Sequence, residues 1–436
     1  MRLNREPCFA YPRWERSSRS RLMHTGPYRT ARFLPEIPKL LAILVVFMNG
    51  ACGRIGYDQV TFDASIDGGL VDAHDATDSF MPFDGSLRGA VSAVFAGYST
   101  TCAILLTGEL FCFGDGGSGQ FGIQPGSDVL APRDLRIEGV REVAIGELSI
   151  CVRRDTTPYV QCAGDGTSGQ LGDGTIAARA SFAPSSIGAV TSLMAGWRHV
   201  VARTSATQLH VWGNGTYGQL GQGSTNSSAS PISLATSLDQ ITAGGFHTCG
   251  RRATTGIECW GRSDEGQSGI AAGNVLSPTL VSATASQRYL DIDAGQFHTC
   301  AVRDDGSVEC WGQNTFGQLG DMSAGGSTPT LVMGLPEIRD IDCGYYHCCG
   351  HTRSGDELWC WGAGDSGQLG RGGVVSRATA GRVVGLGAVS SFVTGAFHTC
   401  AVDTRAELWC WGANESGQLG TGDTMSSGTP IQVDFE

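Results

Sequence analysis

The sequence predicts an all-β fold, a seven-bladed β-propeller with about 50 residues in each blade. Three observations predict it: an evenly spaced repeat, a pair of strand-like segments in each copy, and 64 glycines to supply tight turns. A Gly-Gln step marks the repeat, with its glutamine at Gln120, Gln170, Gln219, Gln267, Gln318, Gln368 and Gln418. Successive copies lie 48 to 51 residues apart, so no stretch is left over for a second domain of comparable size.

The fifth copy indicates a β-hairpin that is closed by a disulfide. Residues 298–303 and 307–311 favour strands, and Asp304-Asp305-Gly306 is a turn between them. A three-residue loop places Cys300 opposite Cys310, at a separation that suits a disulfide. The same spacing predicts bonds between Cys102 and Cys112, Cys151 and Cys162, Cys249 and Cys259, Cys349 and Cys360, and Cys400 and Cys410.

The third copy is an internal control for this pairing. Its matching positions are Val201 and Val211, so both cysteines are lost together, as bonded partners would be. Six such bridges are typical of an oxidising compartment, and each stabilises the fold by somewhat under ~3 kcal/mol in the chain-entropy model. Cys343 and Cys348 lie outside the pattern. They are candidates for a further bridge, although the adjacent Cys348-Cys349 pair leaves that assignment open.

The chain ends on a strand-like segment, residues 429–433, with no hairpin after it. The first copy begins at Ala90 and Val91 without a segment of that kind before it. We therefore predict that the C-terminal strand completes the first blade and closes the ring, which removes an exposed edge.

The N-terminal region has the features of an export signal. Residues 40–48 form a nine-residue apolar run, too short to span a bilayer but suited to a signal peptide. The following Asn49-Gly50-Ala51-Cys52 resembles a bacterial lipobox, except that Asn49 stands where Leu is usual. The hypothesis is that Cys52 is lipidated and that any membrane contact is made only through this anchor. Simple secretion is the alternative.

Three regions follow from these patterns. Residues 1–51 are a signal segment with a long basic lead, 52–88 an acidic disordered tether, and 89–436 the propeller. The tether carries seven aspartates among small residues and has too few apolar side chains to form a core. After residue 51 the net charge is −18, because 9 of the 30 basic and 3 of the 42 acidic residues precede it. Such a surface repels a phosphate backbone, which makes nucleic acid an unsuitable partner.

The repeats resemble the regulator of chromosome condensation repeat family. The similarity lies in AG-x-x-HT-C-A followed by a turn and WG-x-N-x-x-GQLG, as in residues 294–320 and 394–420. The resemblance implies a seven-bladed propeller with a face that binds proteins. Members of the family include a nucleotide-exchange factor, ubiquitin-ligase modules and secreted β-lactamase inhibitors, so the resemblance alone does not choose one activity.

Two repeated side chains are interpreted as structural. Histidine recurs at His199, His247, His298, His347 and His398, and we expect it to be a hydrogen-bond partner within each blade rather than a metal ligand. Tryptophan recurs at Trp212, Trp260, Trp311, Trp361 and Trp411, where it is expected to pack the blades. No catalytic residues, cofactor or metal site are predicted.

Residues that break the repeat are the candidates for partner binding. If they lie on one rim, they form an aromatic interaction surface, and otherwise they are scattered surface residues. The candidates are Trp197, Tyr217, Phe316, Tyr345 and Tyr346, and Tyr98 is similarly irregular.

The leading hypothesis is a non-enzymatic, exported cell-envelope or secreted protein that presents a rigid propeller face to a protein or glycan partner. A secreted enzyme inhibitor similar to the β-lactamase inhibitors is a second hypothesis. The others are a glycan-active enzyme and, by analogy with the family only, a nucleotide-exchange factor.

Overall fold

The computed structural model describes residues 89–271, 273–355 and 357–435. The predicted signal segment, tether and lipidation site Cys52 therefore lie outside the described residues. Within them, 28 strands form seven four-stranded sheets, here called blades one to seven. In this part of the chain, no helix has the length and apolar character needed to cross a membrane.

The strands of the first four blades follow one another along the chain. Blade one contains β1 (Val91–Ala96), β2 (Thr100–Leu105), β3 (Leu110–Gly114) and β4 (Val129–Asp134). Blade two contains β5 (Val140–Ile145), β6 (Ser149–Arg154), β7 (Val160–Gly164) and β8 (Arg179–Pro184). Blade three contains β9 (Ser192–Ala195), β10 (His199–Ser205), β11 (Gln208–Gly213) and β12 (Ser228–Ala235). Blade four contains β13 (Leu238–Ala243), β14 (His247–Arg252), β15 (Ile257–Gly261) and β16 (Val275–Leu280).

The last three blades repeat the order, after a short 3-10 helix at Ser282–Thr284. Blade five contains β17 (Tyr289–Ala294), β18 (His298–Arg303), β19 (Val308–Gln313) and β20 (Gly325–Leu331). Blade six contains β21 (Ile338–Cys343), β22 (His347–Thr352), β23 (Leu358–Gly362) and β24 (Arg377–Arg382). Blade seven contains β25 (Val389–Thr394), β26 (His398–Asp403), β27 (Leu408–Gly412) and β28 (Ser427–Gln432).

The blades form a closed ring around their first strands. β1 contacts β5, and the contacts continue through β9, β13, β17, β21 and β25 back to β1. These central strands are largely buried, whereas the fourth strands, such as β16, alternate between half-buried and exposed residues at the perimeter. The all-β, seven-bladed architecture predicted from the repeat is confirmed.

The prediction about ring closure is wrong. β28 pairs with β27 in its own blade, and blade one is complete without it, from β1 to β4. The physical reason is the loop that contains GQLG, which folds the following strand back onto the strand before it. The ring closes instead by side-to-side packing, in which Phe435 contacts Phe111 of blade one with ring centroids 5.5 Å apart.

The hairpin register agrees with the spacing of the cysteines. Cys300 lies opposite Cys310 and Val302 lies opposite Val308, while Val201 lies opposite Val211 in blade three. The structure joins all six predicted cysteine pairs, with Cα atoms 4.1 Å apart in each.

The repeated histidines and tryptophans connect neighbouring blades. Nε2 of His247 lies 2.8 Å from Oγ1 of Thr299 in the next blade, so the expectation of a bond within one blade is wrong. The indole N–H of Trp311 donates to the carbonyl of Gln267 in the preceding blade at 3.1 Å. The structural interpretation holds for both side chains, because each is fully buried and hydrogen-bonded.

The glycines around each Gln allow the blades to approach closely. Gly317 has φ +79°, and a Cβ atom there would lie 2.4 Å from Cα of Ala378 in the next blade. Only glycine combines this backbone conformation with so short a separation. The repeated step is therefore needed for blade packing.

Candidate functional site

One face of the propeller is formed by two sets of loops. The inner loops join the first and second strands of each blade and have three residues each, as in 295–297 and 344–346. The outer loops join the third and fourth strands, as in 214–227 and 363–376. Because the strands alternate in direction, both sets emerge on the same face. We call this the aromatic face.

Aromatic side chains collect on the inner loops of this face. In each blade, two inner-loop positions directly precede the repeated His or its counterpart, which is Thr100 in blade one and Ser149 in blade two. Seven of these fourteen positions are aromatic. They are Tyr98, Trp197, Phe246, Phe297, Tyr345, Tyr346 and Phe397. Trp197 is buried, whereas the other six are half-buried and reach the surface. The sequence analysis identified the irregular aromatic residues but missed Phe246, Phe297 and Phe397. These three could have been found because each is an aromatic residue directly before a repeated His.

Backbone hydrogen bonds between neighbouring inner loops hold these rings in place. The N–H of Glu147 donates to the carbonyl of Trp197 at 3.0 Å, and the N–H of Tyr345 donates to the carbonyl of Ala396 at 3.1 Å. Ala396 in turn donates to the carbonyl of Gly97 at 3.1 Å, across the junction of blades seven and one. Loops tied to each other in this way present a preorganised surface, which lowers the entropic cost of binding.

The first aromatic group spans blades three, four and five and surrounds an arginine. The Arg262 guanidinium carbon lies 5.0 Å from the ring centroid of Tyr217, 5.1 Å from that of Phe297 and 5.6 Å from that of Phe246. Its Nε donates to a carboxylate oxygen of Asp264 at 2.8 Å. Trp197 packs against Phe246 with ring centroids 4.3 Å apart. We call Tyr217, Phe246 and Phe297 the first triad.

The second aromatic group spans blades five, six and seven. The rings of Phe316 and Tyr346 have centroids 4.7 Å apart, and Tyr345 lies 4.1 Å from Tyr346. Tyr345 also stacks on Phe397 at 5.0 Å, and Phe397 contacts Tyr98 at 6.0 Å. We call Phe316, Tyr346 and Phe397 the second triad.

The five sequence candidates thus lie on one face, in two groups. Trp197 and Tyr217 belong to the first group, and Phe316, Tyr345 and Tyr346 belong to the second. Arg262 was not predicted to take part. Its signal was its position directly after Trp260-Gly261, where every other copy has a residue without positive charge.

A further disulfide closes the inner loop that carries the two tyrosines. Cys343 is bonded to Cys348, with Cα atoms 4.0 Å apart. The remaining inner loops have Ala, Ile or Thr at the first of these positions and Thr, Ile or Val at the second. The extra bridge therefore lies directly beneath Tyr345 and Tyr346. Their loop, 344–346, is the only one of the seven inner loops that contains two tyrosines.

The sulfur atoms of this bridge belong to a buried cluster. His298, Cys300, Cys343 and Cys348 have potential ligand atoms within 4.8 Å of one another. Nε2 of His298 lies 3.0 Å from Sγ of Cys348, where the other blades place a Thr hydroxyl or an apolar side chain. Because all three sulfurs are in disulfides, the cluster offers no thiolate to a metal ion.

The centre of the face combines neutral phenols with carboxylates. Burial raises the pKa of the Tyr98 hydroxyl to about 12, and the nearby Tyr345 and Glu147 add to the rise. Burial also raises the pKa of Tyr345 and of Tyr346. Glu147 accepts a hydrogen bond from Nε of Arg198 at 2.7 Å, and burial raises its pKa.

The outer loops give the face a negative charge. They contain ten acidic residues, whereas Arg262 and Arg371 are their two basic residues. The acidic residues are Asp115, Asp128, Asp165, Asp173, Asp264, Glu265, Asp321, Asp365, Glu415 and Asp423. A partner that carries positive charge is therefore favoured over an acidic one.

Comparison with known proteins identifies similar repeats in this chain. One profile of the regulator of chromosome condensation (RCC1) repeat matches residues 91–120, 290–318, 338–368 and 389–418. A second profile of that repeat matches residues 208–250, 305–350, 356–402 and 406–436. Together the matches cover half of the chain.

Two curated proteins illustrate the range of similarity. The chain is 30% identical over 304 residues to the ultraviolet-B receptor UVR8 of Arabidopsis thaliana, an alignment that covers 66% of this chain and 68% of the receptor. It is 37% identical over 108 residues to the human E3 ubiquitin-protein ligase HERC2. That alignment covers 24% of this chain and 2% of the ligase, so the chain spans a very small part of it.

Solved structures with this architecture include two propellers of low sequence identity. Human WBSCR16 has a TM-score of 0.66 at 22% identity, with 75% of this chain and 93% of that one covered. Prp20p of Saccharomyces cerevisiae, described with its binding to Gsp1p and histones, has a TM-score of 0.66 at 20% identity. The alignment with Prp20p covers 78% of this chain and 86% of that one. These similarities show the fold.

Proposed function

The chain belongs to the regulator of chromosome condensation repeat family, and from that premise we propose that it is a non-enzymatic binding protein whose aromatic face docks a protein partner. One observation carries the proposal: ten aromatic or cationic side chains from six blades collect on a single face, in contacts that the repeat does not require. Tyrosine, tryptophan and arginine are the residues that most often dominate binding energy at protein interfaces.

Two further observations support a protein partner. The inner loops are tied to one another and one of them carries an extra disulfide, so the surface is rigid before binding. Prp20p, which shares the fold, binds the proteins Gsp1p and histones according to its structural description.

We also propose that the protein acts outside the cytosol. The support is the seven disulfides in the part of the chain that the structure describes, a number typical of oxidising compartments. The apolar run at residues 40–48 and Cys52 suggest the route, with a lipid anchor at Cys52 as the finer proposal. Mass spectrometry of the protein from its native membrane would detect or exclude an acylated Cys52.

The docking proposal is tested with matched variants of the full chain. Proteins captured from an envelope extract are purified, and the dissociation constant of each is measured against wild type, Tyr346→Ala and Tyr159→Ala. Tyr159 is a half-buried tyrosine in the loop between β6 and β7, on the opposite face. A partner of the aromatic face should bind Tyr346→Ala at least ~tenfold more weakly and bind Tyr159→Ala within about twofold of wild type. Equal affinities for all three proteins would contradict the proposal.

A further inference from the structure

The two triads occupy equivalent positions in the repeat, displaced by two blades. Tyr217 and Phe316 both stand two residues before the Gln of an outer loop, in blades three and five. Phe246 and Tyr346 both directly precede the repeated His, in blades four and six. Phe297 and Phe397 do the same in blades five and seven. Because the blades are near-copies, the two triads are built on the same backbone frame.

One pair of rings has a similar spacing in the two triads, with a different angle between the rings. The ring centroids of Tyr217 and Phe246 lie 5.1 Å apart with their planes at 63°, and those of Phe316 and Tyr346 lie 4.7 Å apart with their planes at 38°. In both triads the rings are half-buried, so each keeps part of its surface open to solvent.

The residue that differs is the cation. Arg262 follows Trp260-Gly261 in blade four, and the residue that follows Trp361-Gly362 in blade six is Ala363. Among the residues that the structure describes, Arg262 is the only cation placed over aromatic rings. The second triad therefore has the rings of a guanidinium site without a guanidinium from this chain.

The carboxylate that orients Arg262 is also repeated. Asp264 lies two residues after Arg262, and Asp365 lies two residues after Ala363. Asp365 is exposed and accepts a hydrogen bond from the Ser376 hydroxyl at 2.9 Å. Within the described part of the chain, Asp365 is in no ion pair, whereas Asp264 is paired with Arg262. Aromatic faces beside a carboxylate attract a cation by the ring quadrupole and by charge.

We propose that the second triad is a binding site for an arginine side chain of the protein partner. The guanidinium would lie against Phe316, Tyr346 and Phe397 and pair with Asp365, as Arg262 does with the first triad and Asp264. Arginine suits the site better than lysine, because its planar guanidinium stacks on rings and binds a carboxylate at the same time. This inference rests on the proposed function and names the chemistry of the partner.

One difference between the triads bears on selectivity. The position before Phe246 is Gly245, whereas the position before Tyr346 is Tyr345. Tyr345 packs on both Tyr346 and Phe397 and so adds a fourth ring to the second site. This extra ring and the disulfide beneath it fix the walls of the site before an arginine enters.

The test uses the full, oxidised chain and the peptides acetyl-Gly-Arg-Gly-amide, acetyl-Gly-Lys-Gly-amide and acetyl-Gly-norleucine-Gly-amide. Binding is followed by NMR of labelled Tyr and Phe rings. We expect saturable shifts at Tyr346 and Phe397 with the arginine peptide, weaker binding of the lysine peptide, and at least ~tenfold weaker binding of the norleucine peptide.

The decisive variant is Ala363→Arg, which supplies the second triad with a cation from the chain itself. It should weaken binding of the arginine peptide at least ~tenfold while its melting temperature shows that it is folded. Should Ala363→Arg fail to fold, Arg262→Ala takes its place, because it frees the first triad and should raise the number of bound peptides from one to two. Equal binding of arginine and norleucine peptides would overturn the proposal, as would a folded Ala363→Arg that binds like wild type or an unchanged stoichiometry in Arg262→Ala.

These outcomes are separate from those of the docking test. If Tyr346→Ala loses the protein partner but no arginine peptide binds, the docking face stands and the arginine site is wrong. If the peptide binds as described but Tyr346→Ala keeps the partner at full affinity, the site stands and the docking proposal is wrong.

Discussion

The aromatic groups around blade four and blade six differ mainly in where their cation comes from. Around blade four, Arg262 lies among Tyr217, Phe246 and Phe297 and is held by Asp264. Around blade six, the corresponding rings and carboxylate are present, but the corresponding residue is Ala363. The first triad thus serves as a reference for the second within the same molecule. The first triad contains its guanidinium, whereas the second has the corresponding rings and carboxylate and, in our proposal, receives a guanidinium from a partner.

The second difference lies beneath the rings. In blade four the hairpin disulfide of Cys249 and Cys259 joins the second and third strands, and no disulfide spans the inner loop. Blade six has the equivalent hairpin disulfide and adds the bond between Cys343 and Cys348 across its inner loop. A ring stack that contains its own cation is stabilised internally. A surface that must receive one from a partner gains more from a rigid frame, because the cost of ordering is met during folding.

The largest effect is expected when the extra disulfide of blade six is removed. The variant Cys343→Ala/Cys348→Thr does this by introducing the residues that other copies carry at these positions. The variant should lose about 2 kcal/mol of stability in the chain-entropy model and bind the arginine peptide roughly three- to tenfold more weakly, because the tyrosine loop becomes mobile. Thermal unfolding and peptide titration measure the two effects.

Its control is Cys151→Val/Cys162→Val in blade two, which reproduces the valine pair of blade three. This variant should lose about 3 kcal/mol of stability and leave peptide affinity unchanged. If both variants weaken binding equally, general destabilisation rather than the frame beneath Tyr345 and Tyr346 determines affinity.

A smaller effect is expected from the carboxylates. Asp365→Asn should weaken binding of the arginine peptide roughly two- to fivefold at low salt and less at high salt, because an exposed ion pair contributes ~0.2–1 kcal/mol to the binding free energy. Asp264→Asn should leave peptide affinity unchanged, since its partner is Arg262. Titrations at two ionic strengths compare them, and an equal loss in both variants would argue against a specific role for Asp365.

The smallest effect is expected from pH. Burial raises the pKa of Tyr345 and Tyr346 above the ordinary value for tyrosine of about 10, so both hydroxyls stay neutral as pH rises from 6 to 9. A phenolate beside the bound guanidinium would strengthen binding. Peptide affinity should therefore vary by less than about twofold across this range, and a clear increase toward pH 9 would show that one of the tyrosines ionises.

The sequence was informative wherever the repeat itself carries the structure. The spacing of the Gly-Gln steps predicts seven blades, and the opposed Cys300 and Cys310 predict the hairpin register. The pairing of β28 was mispredicted, because the strand after each outer loop could belong either to the blade before it or to the blade after it. Only the path of the outer loop decides between these two assignments.

The candidate site was predictable in composition but not in arrangement. Irregular aromatics such as Tyr217 and Phe316 stand out from their copies, whereas Arg262 is recognisable only once rings from three blades are seen around it. That contact depends on the curvature of the ring and on loop conformation across neighbouring blades, neither of which is encoded in the spacing of one repeat.

The most direct test of the account exchanges the two residues in Arg262→Ala/Ala363→Arg. If the triads are equivalent frames, this double variant should remain folded and still bind one arginine peptide, but the NMR shifts should move from Tyr346 and Phe397 to the equivalent Phe246 and Phe297. Shifts that stay at Tyr346, or loss of binding at both triads in a folded protein, would contradict the claim that Ala363 leaves the second triad to a partner's arginine.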